Sequence, residues 1–365
     1  MSHITEHQKQ RYASASKAAK TSLLRHPQLA MDKELTALAN YVTDNDMRDA
    51  YGSGGTIEAF EQELSQLFAK ASCVFLPTGT LAQCVAMKCF SEQSGKNDIG
   101  LHPTSHLLLH EHMAVEYLWQ LNGKSVGDPS RVTTAEDLSD LNSETLAAII
   151  LEVPMREIGG ALPTWQSLLE IRHWCDVHGV KLHLDGARVW QVTDYYQRSL
   201  AEIAALFDSL YVSFYKDLNG VFGAALLGEK ELIDDARIWA RRAGGNPITL
   251  YPEVIAAKRG LNIHLNRMPD YVRYTKALCQ QLSMLAIRLE PEHPEVSMFH
   301  LKFDINAKTL ADKIIRYAEL TGVIVLPLPR SGDQHSCVCE ITIGENALTQ
   351  SVEYWVEHIN NCIAN

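Results

Sequence analysis

Two apolar strands, one crossover apart, constrain this chain more than any other feature. Lys181-Leu182-His183-Leu184-Asp185 runs into Gly186-Ala187-Arg188, and residues 209–214 run into Tyr215-Lys216. Asp185 and Lys216 are 31 positions apart, the length of one strand–helix–strand unit. Such a unit lays its two strands parallel, so the acid and the amine come to the same edge of one sheet. Residues 147–153 are a nearly continuous apolar run, as expected of a strand covered on both faces. Further strands are expected at 73–76, 107–109 and 223–227. Helices are expected at about 81–90 and 163–178, the second stopped by Gly179. Thr56 can cap a helix carrying Ile57, Phe60, Leu64, Leu67 and Phe68 on one face. This order predicts an α/β fold, a mostly parallel sheet with helices on both faces.

After about residue 265 the pattern changes. Phe299, Leu301 and Phe303 alternate with His300, Lys302 and Asp304, which predicts a half-buried strand. Helices at 309–320 and 347–363 and strands at 323–328 and 338–343 complete a smaller α+β domain with an antiparallel sheet. The expected organisation is an N-terminal segment 1–50, a large domain 51–265 and a small C-terminal domain 266–365.

Charged residues make up 21% and the net charge is −11, so there is no basic surplus for nucleic acid or an anionic membrane. No run of about 18 apolar residues predicts a membrane span, and residues 1–20 show no apolar leader. A cytoplasmic protein with reduced thiols is expected. The eight cysteines form no Cys-x-x-Cys pair; their apolar surroundings predict buried thiols.

The acid and amine at one sheet edge suit pyridoxal 5′-phosphate (PLP). Its aldehyde needs an amine for a Schiff base, here Lys216, and its pyridine nitrogen needs a carboxylate, here Asp185. A lysine in such a pocket loses solvent, which lowers its pKa toward the nucleophilic form. Pro77-Thr78-Gly79-Thr80 lies between a strand and a helix. Its hydroxyls, glycine and helix-start N–H groups can cradle a phosphate, or Thr78 and Thr80 can simply cap the helix. Arg188 offers a bidentate cation for a substrate carboxylate or the phenolic oxygen of the ring. His102, His106, His110 and His112 crowd one segment, but no acidic partner at zinc-site spacing accompanies them, so no metal is expected. On a strand, His106, His110 and His112 would share a face. One of His110 and His112 is expected to lie flat on the ring and serve as an acid or base; structural histidines are the alternative.

These residues resemble the PLP-dependent threonine aldolase and β-eliminating lyase family, of the aspartate aminotransferase-like fold (fold type I). The resemblance covers about residues 50–265 and, more loosely, the C-terminal domain. It is carried by Tyr51-Gly52-Ser53-Gly54-Gly55-Thr56, Leu76-Pro77-Thr78-Gly79-Thr80, Leu151-Glu152, the His183 to Arg188 string, the Ser213 to Gly223 string and Gly244-Gly245. It implies a Schiff base on Lys216, pairing of Asp185 with the ring nitrogen, and a cofactor site that includes Thr78, Gly79, Thr80 and Ser213. It further implies Arg188 on the substrate carboxylate, and a homodimer or homotetramer acting on a small amino acid. The implied reaction is aldol cleavage of a β-hydroxy amino acid to glycine and an aldehyde. β-Elimination, another PLP-dependent amino-acid reaction, or cofactor binding with little catalysis are the alternatives.

The chain also departs from the family. The arginine after the glycine pair is replaced within Pro247-Ile248-Thr249, and a C-terminal strand arginine is replaced near Glu340. Arg330 or Arg156 could supply the missing cation. An acid at Glu340 predicts either a cationic substrate group or an arginine partner within the protein. With the clamp weakened, threonine itself is expected to be a poor substrate beside a bulkier or more polar β-hydroxy amino acid.

Overall fold

The computed structural model describes residues 4–285 and 287–364, which form two units. The larger comprises Leu29–Glu157 and Leu162–Asn266. The smaller comprises the chain up to Gln28, the short run Ile158–Ala161 and the chain from Arg267 onward. The first fifty residues, grouped as one segment from the sequence, are thus divided at Gln28. The reason is pairing. Helix α1 (Glu6–Ala18) is closed by a Thr5–Gln8 capping box, and the Gln8 amide donates to Lys308 O and Asp312. Strand β1 (Thr21–Ser22) pairs in parallel with Val323–Ile324.

The larger unit runs α2 (Met31–Tyr41), α3 (Gly55–Phe68), β2 (Ser72–Leu76), α4 (Gly79–Ser94), β3 (Asp98–Leu101), α5 (His106–Leu109), α6 (Ala114–Tyr117) and β4 (Asn122–Ser125). It continues with β5 (Leu146–Glu152), α7 (Trp165–His178), β6 (Lys181–Gly186), α8 (Thr193–Tyr196) and α9 (Leu200–Ala204). It ends with β7 (Ser209–Ser213), β8 (Ala224–Gly228), α10 (Lys230–Arg242) and α11 (Tyr251–His264). The sheet order is β2-β8-β7-β6-β5-β3-β4. β8 is antiparallel to both neighbours and the other pairs are parallel. β7 and β8 are buried along their whole length, and β5 up to its last residue, Glu152. Ala82, Val85, Ala86 and Met87 of α4 pack with Val74, Ile150, Tyr211 and Leu226 in one core cluster. Each large aliphatic side chain so buried contributes about 1.5–3 kcal/mol.

Two local expectations are corrected. Residues 107–109 are a helical turn, α5, where a strand was expected. Leu108 N and Leu109 N both donate back to Ser105 O at 3.0 Å, so their N–H groups are spent within the turn and not on a ladder. The shared strand face drawn for His106, His110 and His112 falls with it. Thr56 lies inside α3, whose N-cap position is Gly54. The Thr56 hydroxyl instead donates to Asp46 and accepts from Met47 N.

The smaller unit adds α12 (Met268–Leu282), β9 (Arg288–Glu290), β10 (Met298–Phe303), α13 (Ala307–Thr321), β11 (Val323–Ile324), β12 (Ser331–Gly332), β13 (Cys337–Thr342) and α14 (Val352–Ala364). Its antiparallel sheet has the order β12-β13-β10-β9. The strand expected at 323–328 is regular only over β11; Pro327 and Pro329 have no N–H to give a ladder. Ile158–Ala161 joins this unit because glycines allow it. A Cβ on Gly159, at φ +71°, would lie 1.9 Å from Glu290 O. The eight cysteines are buried thiols. Among the described residues, no helix is long and apolar enough to cross a membrane.

Candidate active site

The ends of β5, β6 and β7 bring the chemistry together. Asp185, 4% exposed, is the next-to-last residue of β6, and its Oδ1 accepts from Ala187 N at 3.1 Å. The turn that follows is pinned to β7. Ser213 Oγ donates to Ala187 O at 2.8 Å, and the Trp190 indole donates to Ser213 O at 3.0 Å. Ser213, expected at the cofactor, thus spends its proton on holding the Asp-Gly-Ala-Arg turn.

Lys216 stands three residues beyond β7, in a turn closed by Gly220 N donating to Phe214 O at 2.7 Å. Its ammonium lies 5.9 Å from the Tyr211 ring centre and 5.6 Å from that of Tyr215. Burial first, then Arg188, lowers the Lys216 pKa to about 8, against the pull of Asp185, Glu152 and Asp217. That is the desolvated amine the sequence predicted.

Arg188 is 7% exposed, and its Nε is buried with no hydrogen-bond partner; Asp217 Oδ1 is 3.8 Å away. A buried guanidinium N–H left open costs stability unless an acceptor arrives, so this donor suits an anionic ligand oxygen. The start of α4 meets the same strands. A Cβ on Gly79 would fall 2.1 Å from the Tyr211 hydroxyl, so only glycine lets this helix end approach β7. Thr78 Oγ accepts from Leu81 N at 3.2 Å, as an N-cap does. Thr80 Oγ donates to Glu111 Oε1 at 2.6 Å. The first N–H groups of the helix have no intrahelical acceptor and remain the natural anion donors.

The histidines separate clearly. His102 is buried, bonded to Thr104 and to the carbonyls of Asp128 and Arg131, and burial lowers its pKa. His112 is exposed, in a left-handed turn at φ 50°. His110 is 41% exposed in its side chain, 3.2 Å from Glu157 Oε1. His106, given no role at the ring from the sequence, is as exposed as His110, at 42%, but is tied to the α4 start. Its Nδ1 lies 2.7 Å from the Glu111 oxygen that also takes the Thr80 proton, and its ring centre is 4.9 Å from that of His110. Burial works to raise the Glu111 pKa, but the bonds from His106 and Thr80 carry it below the usual carboxylate value. This dyad exists because 106–109 coil into a turn, and strand periodicity concealed it.

Glu152 is a second residue the sequence left without a role. It sits opposite Asp185 in the β5–β6 register. The signal was available: both apolar runs end on an acid, so aligning their polar ends places the two side by side. The candidate carboxylate cations are less free. The Arg156 guanidinium is 3.9 Å from Glu157, and its backbone N–H donates to Glu152. Within the smaller unit, Arg330 Nη1 donates to Glu340 Oε2 at 2.8 Å. Of the two consequences expected for Glu340, the internal arginine partner is the one found.

A lysine of lowered pKa, a carboxylate on the next strand end, an open buried guanidinium donor and a helix start that only glycine permits fit pyridoxal 5′-phosphate. The comparisons agree. A family model for β-eliminating lyases matches residues 30–304. A crystal structure of a candidate L-allo-threonine aldolase from Listeria monocytogenes superposes with a TM-score of 0.91 at 32% identity, covering 97% of this chain and 98% of that one. A candidate aromatic amino acid β-eliminating lyase/threonine aldolase from Exiguobacterium gives 0.91 at 33%, covering 96% and 99%. The low-specificity L-threonine aldolase 1 of Arabidopsis thaliana is 21% identical over 300 residues, 80% of this chain and 83% of that protein. With a match across most of its length and solved relatives near one-third identity, this chain belongs to the β-eliminating lyase family of PLP-dependent enzymes.

Proposed function

We propose that the protein cleaves the Cα–Cβ bond of a β-hydroxy amino acid, giving glycine and an aldehyde. The observation that carries this reading is the pairing of Asp185 with a lysine of lowered pKa on adjacent strand ends. Bound PLP supplies an aldehyde that takes up an amine covalently and a ring that stores the electron pair released at Cα. Lys216 is the amine that holds the cofactor, and its neutral fraction at working pH sets how readily it does so. Asp185 keeps a proton on the ring nitrogen. The α4 start, with Gly79 and Thr80, holds the phosphate, and Arg188 meets an anionic oxygen through its open Nε, with Arg156 as a second cation for the carboxylate. His106 directs its Nδ1 to Glu111, which fixes the tautomer and leaves Nε2 able to take the β-hydroxyl proton as the carbonyl forms. His106→Ala is therefore expected to lose roughly a hundredfold or more in kcat, with His112→Ala near the parent value. The reverse ranking would restore the residue choice made from sequence.

Substrate range follows from the cations. Within the smaller unit Glu340 is neutralised by Arg330, so its bare charge is no argument against threonine. Threonine and allo-threonine are both expected to be cleaved, alongside phenylserine. Arg188→Ala should raise KM or lower kcat/KM by about ten- to a hundredfold, the worth of one charge-assisted hydrogen bond of about 1.5–3 kcal/mol. Steady-state assays of glycine and aldehyde release on the three substrates check this. Release of pyruvate or another keto acid without glycine would instead establish β-elimination.

Assembly as a homodimer or homotetramer in the cytoplasm is part of the proposal. Met31, Leu35, Val42 and Met47 are exposed on the larger unit, which suits a subunit contact, and eight free thiols suit a reducing compartment.

A further inference from the structure

Glu152 has no task in the chemistry above, yet it ends β5 directly beside Asp185. In-register neighbours on parallel strands point to one face, and Tyr211 of β7 extends the same row. Two carboxyls side by side in an enclosed site resist double ionisation, so one tends to keep its proton. Each is held by backbone of its own loop. Glu152 Oε1 accepts from Arg156 N at 3.0 Å, and Asp185 Oδ1 from Ala187 N at 3.1 Å. The other charged and titratable groups around Glu152 are Arg188 after β6, Lys216 and Asp217 after β7, the Tyr211 phenol, and Arg156 and Glu157 in its own loop, with His110 against Glu157. The two acids therefore differ in company: Asp185 is nearly sealed, while Glu152, half-buried at the strand end, borders the loop.

We propose that Glu152 is a positioning residue of this site. Its carboxyl stands in register beside Asp185, in the row completed by Tyr211, whose ring centre is 5.9 Å from the Lys216 ammonium, and its charge sets how tightly Lys216 holds its own proton. Burial first, then Asp185, pushes the Glu152 carboxyl up to about 7, while the Arg156 N–H, Arg188 and Lys216 pull it down. Glu152 in turn is among the anions that favour the charged amine at Lys216. The inference rests on the pocket being the cofactor site, but it concerns two side chains of the bare protein, so its test needs no cofactor.

The full chain, freed of cofactor with hydroxylamine, is labelled with trace acetic anhydride at a series of pH values, and peptide mass spectrometry reads Lys216 against an exposed lysine. The parent midpoint is expected near 8. Glu152→Gln keeps an oxygen for the Arg156 N–H but removes the charge, and should lower the Lys216 midpoint by about half a pH unit or more; Glu152→Ala should move it the same way. An unchanged midpoint in both variants overturns the proposal. Thermal midpoints give a second readout. A carboxyl whose folded pKa is raised contributes stability that is present below its ordinary value and lost as pH rises through about 7. The parent should therefore lose stability relative to Glu152→Gln between about pH 5 and pH 8, and parallel curves would also overturn it. Failure of the cofactor assignment itself would appear elsewhere, as borohydride labelling of a lysine other than Lys216 in the holoenzyme.

Discussion

Lys216→Ala is expected to abolish covalent attachment of the cofactor and to leave a protein that is no longer yellow. Parent enzyme treated with borohydride should carry the reduced cofactor on the peptide containing Lys216. Attachment at any other lysine would show the assignment to be wrong. The size of the effect follows from the pocket. Lowering the amine pKa from its ordinary 10.5 to about 8 raises the neutral fraction at pH 7 by roughly 300-fold, since each unit is a factor of ten. An exposed lysine recruited in its place would lack this advantage. Turnover should fall with the loss of the covalent link. Covalent uptake by the parent should rise as pH passes through about 8, because the neutral amine is the nucleophile. Lys216→Arg keeps the charge but cannot form the bond. It should behave like the alanine variant in attachment, which separates lost chemistry from lost charge balance against Asp185, Glu152 and Asp217.

The parallel sheet was legible because strands buried on both faces tend to be written as apolar runs, as β5 is and as the middle of β7 is. Asp185 and Lys216 were legible for the same reason: a charge at the end of such a run has only the sheet edge to occupy. What escaped was set by where hydrogen bonds go. Leu107, Leu108 and Leu109 read equally well as strand or helix by composition, and in the structure Leu108 N and Leu109 N turn back to Ser105 O instead of to a neighbouring strand. That turn directs His106 toward Glu111 and Thr80. Likewise, nothing near Gln8 or Thr21 announces partners some three hundred residues away, so the first 28 residues could not be assigned to the smaller unit. The Arg330–Glu340 pair is legible only once β12 and β13 are known to be neighbours.

Asp185→Asn and Asp185→Ala should both lose most activity, and comparing them separates charge from structure. Asparagine keeps an oxygen for Ala187 N, so the turn that carries Arg188 stays in place and only the charge is lost. Alanine also leaves that buried N–H without its acceptor, which costs about 1–3 kcal/mol, and should lower the thermal midpoint where asparagine does not. Losing a charge-assisted bond to the ring nitrogen is worth about 1.5–3 kcal/mol, or roughly ten- to a hundredfold weaker cofactor binding in either variant. The effect on turnover should be larger than on binding. In a water-poor site a fixed carboxylate favours the protonated ring most where electron density accumulates, so its loss falls mainly on the bond-breaking step. Removing Asp185 also removes the neighbour that, after burial, most raises Glu152. The Glu152 carboxyl should then ionise at lower pH and take over part of the anionic role, shifting the pH dependence of residual activity toward the acid side. Equilibrium dialysis of the cofactor, thermal melts and kcat against pH in the two variants measure these effects. Near-parent turnover with undiminished cofactor retention in both would remove Asp185 from the chemistry.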